Sequence, residues 1–259
     1  MDKILLFIPA YNCEKQISRV LMQLDKEVME FITEVIVINN RSTDNTEQTV
    51  IDFAERHPDF PIKLLRNHEN YGLGGSHKVA FNYAIENDFD YVIVLHGDDQ
   101  GDIYDFLPVL KSEYYKKYDC ILGARFMPGS QLIGYSNFRT FGNIIYDFLF
   151  AFVCGRRIYD LGSGLNMYDV SKLKSRYYEA FPDNLMFNYC MVMALEYYDL
   201  KEKFFPISWR EDDQVSNVKM VSQATKVLKM LWDYYKNPAV IRDDYREKVI
   251  SEYGADVIE

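Results

Sequence analysis

Short apolar segments alternate with longer stretches of helical periodicity in the first half of this chain, and this alternation restricts the fold more than any other feature. Segments rich in β-branched residues read as strands: ILLFI (4–8), EVIVIN (34–39), IKLLR (62–66), YVIVLH (91–96) and CILGA (120–124). Strands separated by helical patterns are typical of βαβ units. Because these strands are almost entirely apolar, we expect an α/β fold with a mainly parallel central sheet covered on both faces.

The composition permits one large domain and argues against some classes of partner. The chain has 259 residues, of which 48% are hydrophobic, and a net charge of −10. Such a charge does not favour nucleic-acid binding, because phosphate backbones require clustered Lys and Arg. The cysteines stand far apart without a Cys-x-x-Cys pair, so neither a zinc motif nor a disulfide framework is indicated, and a reducing cytoplasm fits best.

The later part of the chain shows no linker or membrane-spanning segment. Beyond about residue 125 the regular alternation fades, but no stretch rich in Pro, Gly or Ser divides the chain. We therefore expect a single domain over residues 1–236 and a polar tail at 237–259. The most apolar late stretch, residues 144–154, contains Asp147 and is shorter than the roughly 20 residues of a transmembrane helix.

Polar residues follow three of the predicted strands, in the segments PAYN (9–12), NNRSTDN (39–45) and HGDDQ (96–100). The carboxyl ends of parallel strands meet at one edge of a sheet, where ligands usually bind. In the third segment Asp98 and Asp99 would repel each other unless a cation or a basic loop lay beside them. Asp102 is explained as a helix N-cap, but Asp98 and Asp99 are not. The sequence thus predicts a binding site at this edge.

Several motifs follow in an order and spacing that resemble family 2 glycosyltransferases of the GT-A fold: IPAYNCEKQI (8–17), VIVINNRSTDNT (35–46), NYGLGGSHKVAFNYAI (70–85) and VIVLHGDDQ (92–100). Further motifs are similar to the polyprenyl-phosphate branch, which includes dolichol-phosphate mannosyltransferase: GARFMPGS (123–130), FRTFGN (138–143), DLGSGLNMY (160–168) and FPISWR (205–210). The resemblance implies a Rossmann-like GT-A domain. Residues 1–124 would bind the nucleotide sugar, and residues 125–236 the acceptor.

The resemblance assigns a GDP- or UDP-sugar donor to the loops of the first half. The donor-binding residues it implies are Pro9, Ala10, Tyr11, Asn12, Glu14, Asn39, Asn40, Gly74, Asp98 and Asp99. The family usually has two acidic residues at the positions of Asn39 and Asn40, followed by Gly where this chain has Arg41. An Asn carbonyl can accept a hydrogen bond from a base, but without charge assistance. Asn39 and Asn40 are equally compatible with ordinary turn positions.

The metal motif of the family aligns with His96, Asp98 and Gln100, and implies bound Mg²⁺ or Mn²⁺. Alternate residues at a strand end point the same way, so all three could face one cation. His96 stands where the family has Asp, and imidazole suits Mn²⁺ better than Mg²⁺. His96 could instead donate a hydrogen bond to a phosphate or have a structural role.

The acceptor-binding residues that the resemblance implies are Arg125, Arg139, Ser163 and Gly164, which would gather the charge of a lipid phosphate. Asp98, Arg139 and Arg210 would be catalytic. Arg210 resembles the Arg of a late R-x-x-G-x-S motif, although this chain lacks the Gly and places Ser216 one residue late.

Two apolar segments allow alternative interpretations. The segment from Phe141 to Phe152 could lie at a bilayer interface and guide a prenyl chain, or it could be a core helix. Residues 218–235 have apolar residues at helical spacing with lysines between them. This pattern indicates a helix packed on the core, with a basic helix on a membrane surface as the alternative.

Three functions remain open at this stage. The first is an inverting, metal-dependent transferase that moves a sugar to a polyprenyl (undecaprenyl or dolichyl) phosphate as a peripheral protein at the cytoplasmic face of the membrane. In the second, the acceptor is a sugar hydroxyl of a capsule or lipopolysaccharide glycan, and Glu211, Asp212 or Asp213 is the general base. The third is a non-catalytic nucleotide-sugar-binding protein, suggested by the substitutions at His96, Asn39 and Asn40.

Overall fold

The structure is a computed structural model that describes residues 2–211 and 220–258, with the side chains of the second range described from residue 224 onward. The strands in this part of the chain are β1 (Ile4–Ala10), β2 (Glu34–Asn39), β3 (Ile62–Asn67), β4 (Tyr91–Leu95), β5 (Cys120–Ala124), β6 (Gln131–Ile133), β7 (Leu165–Asp169), β8 (Glu202–Pro206), β9 (Ser208–Arg210) and β10 (Ala255–Val257). The strands predicted from the first half of the sequence correspond to β1 through β5.

One central sheet of eight strands has the order β10-β3-β2-β1-β4-β7-β5-β8. β1 pairs in parallel with β2 and β4, β2 with β3, and β5 with β8, whereas β7 runs antiparallel between β4 and β5. The carboxyl ends of β1 to β5 therefore lie at the same edge as the amino end of β7. This arrangement confirms the predicted mainly parallel α/β sheet and brings the loops of the candidate site together.

The helices that cover the sheet are α1 (Ile17–Met22), α2 (Lys26–Met29), α3 (Thr46–Arg56), α4 (Gly72–Glu86), α5 (Leu107–Lys111), α6 (Asn137–Cys154), α7 (Val170–Leu173), α8 (Met186–Tyr197) and α9 (Met220–Lys236). Short 3-10 turns occur at Ile103–Asp105, Tyr114–Lys117, Tyr177–Ala180 and Pro238–Arg242. Side chains alternate along β1, so that Leu5 and Phe7 enter one core while Leu6 and Ile8 enter the other. Helices α1, α2, α3 and α5 pack on the second core, and α4 and α6 to α9 on the first.

The end of the chain takes part in the fold. β10 pairs antiparallel with β3 at the edge of the sheet, and Ile241 and Tyr253 are buried. The buried Lys78 on α4 donates hydrogen bonds to Tyr253 Oη (3.0 Å) and to Asp183 Oδ1 (2.7 Å). Residues 237–259, described from the sequence as a polar tail, thus contribute a strand and core contacts.

Helix α6 turns a polar and aromatic side inward and an apolar side outward. Asp147, Phe150 and Cys154 are buried, whereas Phe138 and Phe148 are 77% and 69% exposed. Phe141, Ile144, Ile145 and Phe152 are also exposed. The alternative of a wholly buried core helix for this segment is therefore wrong. Within the described residues, no helix is both long and apolar enough to cross a membrane.

Helix α9 packs on the core with one side and exposes aromatic residues on another. It buries Val227, Met230, Leu231 and Tyr234, and it exposes Leu228, Trp232 and Tyr235. The prediction of a helix packed on the core is thus confirmed for part of its apolar face. Val218 and the side chain of Val221, which belong to the predicted pattern, lie outside what the structure describes.

Candidate active site

The loops after β1, β2 and β4 are joined through their backbones at the edge of the sheet. Asn40 N–H donates to Ala10 O (2.9 Å), and Gly97 N–H donates to Pro9 O (3.1 Å). The side chains of Asn12 and Glu14 accept hydrogen bonds from the backbone N–H groups of Thr43 (2.8 Å) and Asn45 (2.9 Å). These hydrogen bonds, made by Pro9, Ala10, Asn12 and Glu14, therefore fix the conformation of the loops at this edge. Tyr11, which is 52% exposed, projects beside them.

Asn39, the last residue of β2, and Asn40, which follows it, are buried and bonded inside the protein. Asn39 Nδ2 donates to Glu47 Oε2 (2.7 Å), and its Oδ1 accepts from Ser42 N (2.9 Å). Asn40 Oδ1 accepts from Tyr71 N and from Asn67 Nδ2, both at 2.9 Å. These amides connect the ends of β2 and β3 to the start of α4. A direct contact between Asn40 and a nucleotide base stays a prediction.

Gly74 lies at a close contact between α4 and the second half of the chain. Its N–H donates to Asp183 O (2.7 Å), and a Cβ atom at this position would lie 2.4 Å from Pro182 O. The glycine is buried, and its backbone donor is used inside the protein. The structure thus explains the need for Gly by packing, and the predicted donor contact stays untested.

Asp99 and Arg210 are neighbours beside the end of β4. Asp99 Oδ2 accepts a hydrogen bond from Arg19 Nε (2.6 Å), and Arg210 Nη2 lies 3.7 Å from Asp99 Oδ1. Arg210 N–H donates to Gln100 O (2.9 Å). The predicted catalytic Arg210 is therefore brought to the loop that holds the acidic motif. Asp99 faces two guanidinium groups, which is the basic environment that its crowding with Asp98 required.

Asp98, at this edge of the sheet, has a carboxyl group whose pKa lies above its ordinary value. Burial raises the pKa of Asp98 to about 6, and the charge of Asp99 acts in the same direction, whereas a hydrogen bond from Gln100 N–H opposes them. A carboxyl group with this pKa releases its proton readily when a cation approaches. Asp98 is thus suited to hold a divalent cation.

His96 packs against the loop that precedes β7. The backbone N–H of His96 donates to Gly164 O (3.0 Å). A Cβ atom at Gly164 would lie 2.6 Å from His96 Cγ. The pKa of His96 is lowered to about 4, mainly by burial and also by the charge of Arg125, so the ring is neutral. Its Nε2 is buried and has no hydrogen-bond partner in the described part of the chain. A cation could reach this nitrogen only if the ring moved.

His96, Asp98 and Gln100 stay a predicted set of metal ligands. Across residues 2–211 and 220–258, no group of three or more His, Cys, Asp or Glu side chains could hold a metal ion. Asp98 is the member that fits a hard cation, with Gln100 two residues away. Any metal at this edge would need further oxygen ligands from a bound diphosphate.

The acceptor prediction for Arg125 needs correction, because this guanidinium is already paired. Arg125 Nε and Nη2 donate to the two oxygens of the buried Asp160 carboxylate, at 2.7 and 2.8 Å. The guanidinium also lies over the Trp209 ring, with its carbon 4.9 Å from the ring centroid. A bidentate, mostly buried pair of this kind leaves little capacity for a phosphate.

Ser163 and Gly164, which the resemblance assigns to the acceptor, are buried, and their role in acceptor binding stays a prediction. Ser163 is 2% exposed, and its hydroxyl donates to Asn166 Oδ1 (3.2 Å). Gly164 lies under the His96 ring, where a side chain would not fit. The loop before β7 therefore supports the acidic motif, and the hydroxyl of Ser163 is used within the protein.

Arg139 lines a cavity in the second half of the chain. A cavity of about 300 Å³ separates α6 from α8 and the loop after β5, and it is lined by Arg125, Phe126, Tyr135, Phe138, Arg139, Gly142, Asn143, Tyr146, Asp147, Asp160, Leu161, Gly162, Leu185, Asn188, Tyr189, Ala224 and Val227. Arg139 is paired with Glu211 and lies over the Tyr135 ring. Asp212, Asp213 and Ser216, named in the sequence analysis, lie outside the described residues.

Several residues of this site were not found by sequence reasoning. Asp160 pairs with Arg125, Arg19 pairs with Asp99, and Asn67 joins Asn40 to α4. Asp147 was noted only as an acid within an apolar stretch, and that isolation was the available signal. The other contacts join residues distant in sequence, so no local pattern could have shown them.

A comparison with known families decides the class of this protein. The model of glycosyl transferase family 2 matches residues 6–176, which is more than half of the chain. The chain belongs to glycosyl transferase family 2. The resemblance read from the motifs is thereby confirmed, and the protein is a glycosyltransferase.

Curated relatives include both uncharacterised proteins and lipid-phosphate transferases. An uncharacterised protein of Methanocaldococcus jannaschii is 25% identical over 80% of this chain and 81% of its own length, and the match to another from that organism spans only 50% of that relative. A UDP-N-acetylglucosamine–dolichyl-phosphate N-acetylglucosaminyltransferase of Methanococcus voltae is 23% identical over 67% of this chain and 72% of its own length. A dolichyl-phosphate beta-glucosyltransferase of Trichomonas vaginalis is 38% identical, over 27% of this chain and 22% of its own length.

Solved structures support the GT-A fold. Glucosyl-3-phosphoglycerate synthase from Mycobacterium tuberculosis, in complex with UDP, has a TM-score of 0.62 at 14% identity, covering 91% of this chain and 80% of its own. TarS 1–349 of S. aureus has a TM-score of 0.58 at 18% identity, covering 88% of this chain and 64% of its own. At these identities the likeness shows the fold, which is GT-A as predicted.

Proposed function

We propose that this protein transfers a sugar, with inversion, from a nucleotide-sugar donor to a polyprenyl phosphate. The observation that carries the proposal is the position of Phe138, which lines the cavity beside Arg139 and is also 77% exposed. A space that holds a guanidinium at an exposed apolar helix face suits a ligand with an anionic head and an apolar chain. The relatives named as dolichyl-phosphate transferases support this choice.

The donor is a UDP-sugar, bound at the edge formed by the loops after β1, β2 and β4. One supporting relative, the Methanococcus transferase, carries UDP in its name. In this chain Tyr11 is exposed at that edge and can stack on a base, while Asn39 and Asn40 fix the backbone around it. Arg210, close to Asp99, would approach the diphosphate.

A divalent cation, Mg²⁺ or Mn²⁺, would be held by Asp98 and the diphosphate oxygens. The mycobacterial synthase was solved in complex with Mn²⁺ and UDP-glucose. Such a cation stabilises the charge that develops on the leaving nucleoside diphosphate. Asp98 contributes a carboxylate whose raised pKa couples its ionisation to cation binding. His96 supports the loop and is not proposed as a ligand.

Arg139 would bind the acceptor phosphate once its ion pair with Glu211 is broken. A phosphate monoester is anionic at neutral pH and needs no general base to attack the anomeric carbon. Asp147 and Asn143 on α6 lie on the same cavity wall as Arg139. Residues 125–236 would thus form the acceptor half of the enzyme, as the sequence analysis expected.

The exposed side of α6 would meet the membrane that contains the acceptor. This side exposes the aromatic residues Phe138, Phe141, Phe148 and Phe152. Helix α9, which contacts α6, exposes Trp232 and Tyr235. Large exposed apolar patches of this kind mark interaction sites. We propose peripheral attachment at the cytoplasmic face, with the cavity mouth turned toward the lipid.

Transfer to a sugar hydroxyl is the second candidate function. It rests on one observation, that Glu211 lies beside Arg139 at the cavity, where a general base could act. TarS and the mycobacterial synthase are structural neighbours, but their identities of 18% and 14% carry only the fold.

The proposal is tested by incubating the purified protein with a panel of UDP- and GDP-sugars and undecaprenyl phosphate in detergent. Mass spectrometry should show a glycosylated lipid phosphate, formed only when a divalent cation is present. Asp98→Asn should abolish the product while thermal unfolding stays cooperative. Equal turnover after removal of divalent cations by a chelator would refute the role of Asp98. Products formed only on glycan hydroxyls would refute the lipid-phosphate acceptor.

A further inference from the structure

Asp147 is a buried acid that faces the acceptor cavity. It is 5% exposed, and its Oδ2 has no hydrogen-bond partner among the described residues. Buried polar atoms without a partner are rare in native proteins, because each costs roughly 1–3 kcal/mol. Asp147 lines the space of about 300 Å³ that also contains Arg139. A ligand that fills this space would lie against the carboxyl group and could complete its hydrogen bonding.

The charges around Asp147 decide in which form it is present. The pKa of Asp147 is raised to about 8. Burial is the main cause, the charge of Asp160 acts in the same direction, and the charge of Arg125 opposes both. Tyr146 and Tyr189 line the same cavity, and burial raises the pKa of each above 10, so neither ionises near neutrality. At pH 7 Asp147 therefore carries a proton and can donate a hydrogen bond, whereas an ionised Asp147 would repel an anion.

We infer that Asp147 is a specificity-determining residue of the acceptor site, which donates a hydrogen bond from its protonated carboxyl group to an oxygen of the acceptor's phosphate monoester. The inference rests on the proposed function for the location of the acceptor. It goes further in assigning a neutral acid to phosphate recognition. Arg139 supplies the positive charge, and Arg125 is held by Asp160 and keeps the second acid of the cavity neutralised.

The proton on Asp147 makes acceptor binding depend on pH in a defined window. Between pH 7 and pH 9 the phosphate monoester is a dianion, since its second pKa is about 6, and the guanidinium of Arg139 keeps its charge. Asp147 titrates within this window. The KM for the acceptor phosphate should therefore rise roughly tenfold from pH 7 to pH 9, as the protonated fraction of Asp147 falls.

Two substitutions separate donation of a hydrogen bond from other roles. Asp147→Asn keeps a neutral donor of the same size, so the KM at pH 7 should stay within about twofold of the parent and the rise toward pH 9 should vanish. Asp147→Leu has the same branching and the same number of side-chain heavy atoms but no donor, so its KM should be about tenfold higher at both pH values. Thermal unfolding at pH 7 and pH 9 provides the control for changes in stability.

The experiment uses the full chain with a short prenyl phosphate, and calorimetry with glycerol 3-phosphate as a soluble monoester. If glycerol 3-phosphate binds with a pH-dependent affinity but no sugar is transferred to the prenyl phosphate, the proposed lipid acceptor is refuted. The role of Asp147 in binding a phosphate monoester is then still supported. Loss of kcat in Asp147→Asn at unchanged KM would show a general base and overturn the inference. An unchanged KM in Asp147→Leu would overturn it as well.

Discussion

Arg139 on α6 is paired with Glu211, the residue that directly follows β9. The Glu211 carboxylate thus binds the guanidinium group that we propose for the acceptor phosphate. The same acid would be a general base if the acceptor were a sugar hydroxyl. This one ion pair therefore separates the two candidate functions.

The first prediction concerns Glu211→Gln. Without the competing carboxylate, Arg139 is available to phosphate, and the KM for the lipid phosphate should fall by up to about fivefold, as expected for a partly exposed pair worth up to about 1 kcal/mol. The kcat should be retained. Steady-state kinetics with varied acceptor concentration measure both constants. Glu202→Gln, which breaks the similar Arg156–Glu202 pair (2.8 Å), is the control and should leave the KM unchanged. A collapse of kcat in Glu211→Gln would favour hydroxyl transfer.

The second prediction concerns the contact between Gly164 and His96. Gly164→Ala would place a Cβ atom 2.6 Å from His96 Cγ, so this substitution should lower the free energy of unfolding by roughly 1–3 kcal/mol in urea titrations. The cost should be smaller when His96→Ala is also present, because the contacts with the ring are then removed and only the one with His96 Cβ (2.9 Å) remains. Gly142→Ala on α6 has open space and should instead stabilise by about 0.5–1 kcal/mol. Equal effects at both glycines would contradict the packing described.

The third prediction concerns Asn40→Asp. Tyr71 N–H fixes Oδ1 of Asn40, so Nδ2 must donate to Asn70 Oδ1 (2.9 Å), an oxygen that also accepts from Gly72 N–H. Asn40→Asp loses this donor and buries a charge, and should destabilise by roughly 2 kcal/mol or more at pH 7. Asn45→Asp at an exposed position is the matched control and should be nearly neutral. Unfolding curves of equal midpoint would show that the amide network is unimportant.

The fourth prediction tests the membrane face. Phe148→Ser removes an apolar side chain that is 69% exposed on α6, and should weaken sedimentation with lipid vesicles several-fold while leaving stability almost unchanged. Met22→Ser on α1, which is 65% exposed and packs on the other side of the sheet, is the control. Equal vesicle binding by the parent and both variants would indicate that α6 does not contact lipid.

The sheet was predictable because its signal is local. β-branched runs at 34–39 and 120–124 coincide with β2 and β5, and their order implied a parallel arrangement. The edge strand β10 was not predictable, since it is short and pairs antiparallel with a strand far away in sequence. Its pairing depends on contacts such as that of Lys78 with Tyr253, which no sequence period encodes.

The candidate site was predictable in position and less so in the roles of its residues. Arg210 lies beside the loop that contains Asp98, and the catalytic roles of both residues stay a prediction. Arg125 and Ser163 were assigned to the acceptor through the resemblance, but their polar groups bond to Asp160 and Asn166 inside the protein. Whether a polar group points toward ligand or toward the interior depends on tertiary partners, and a linear motif does not contain that information.

The nature of the attacking atom is the central claim, and phosphorus NMR of the acceptor measures it most directly. Undecaprenyl phosphate is incubated in detergent with the full chain, a UDP-sugar and a divalent cation, and the acceptor's ³¹P resonance is followed. The account predicts that the monoester signal is replaced by that of a phosphodiester, in step with the release of UDP. Transfer of the sugar to another acceptor, while the monoester signal of the lipid persists unchanged, would contradict it.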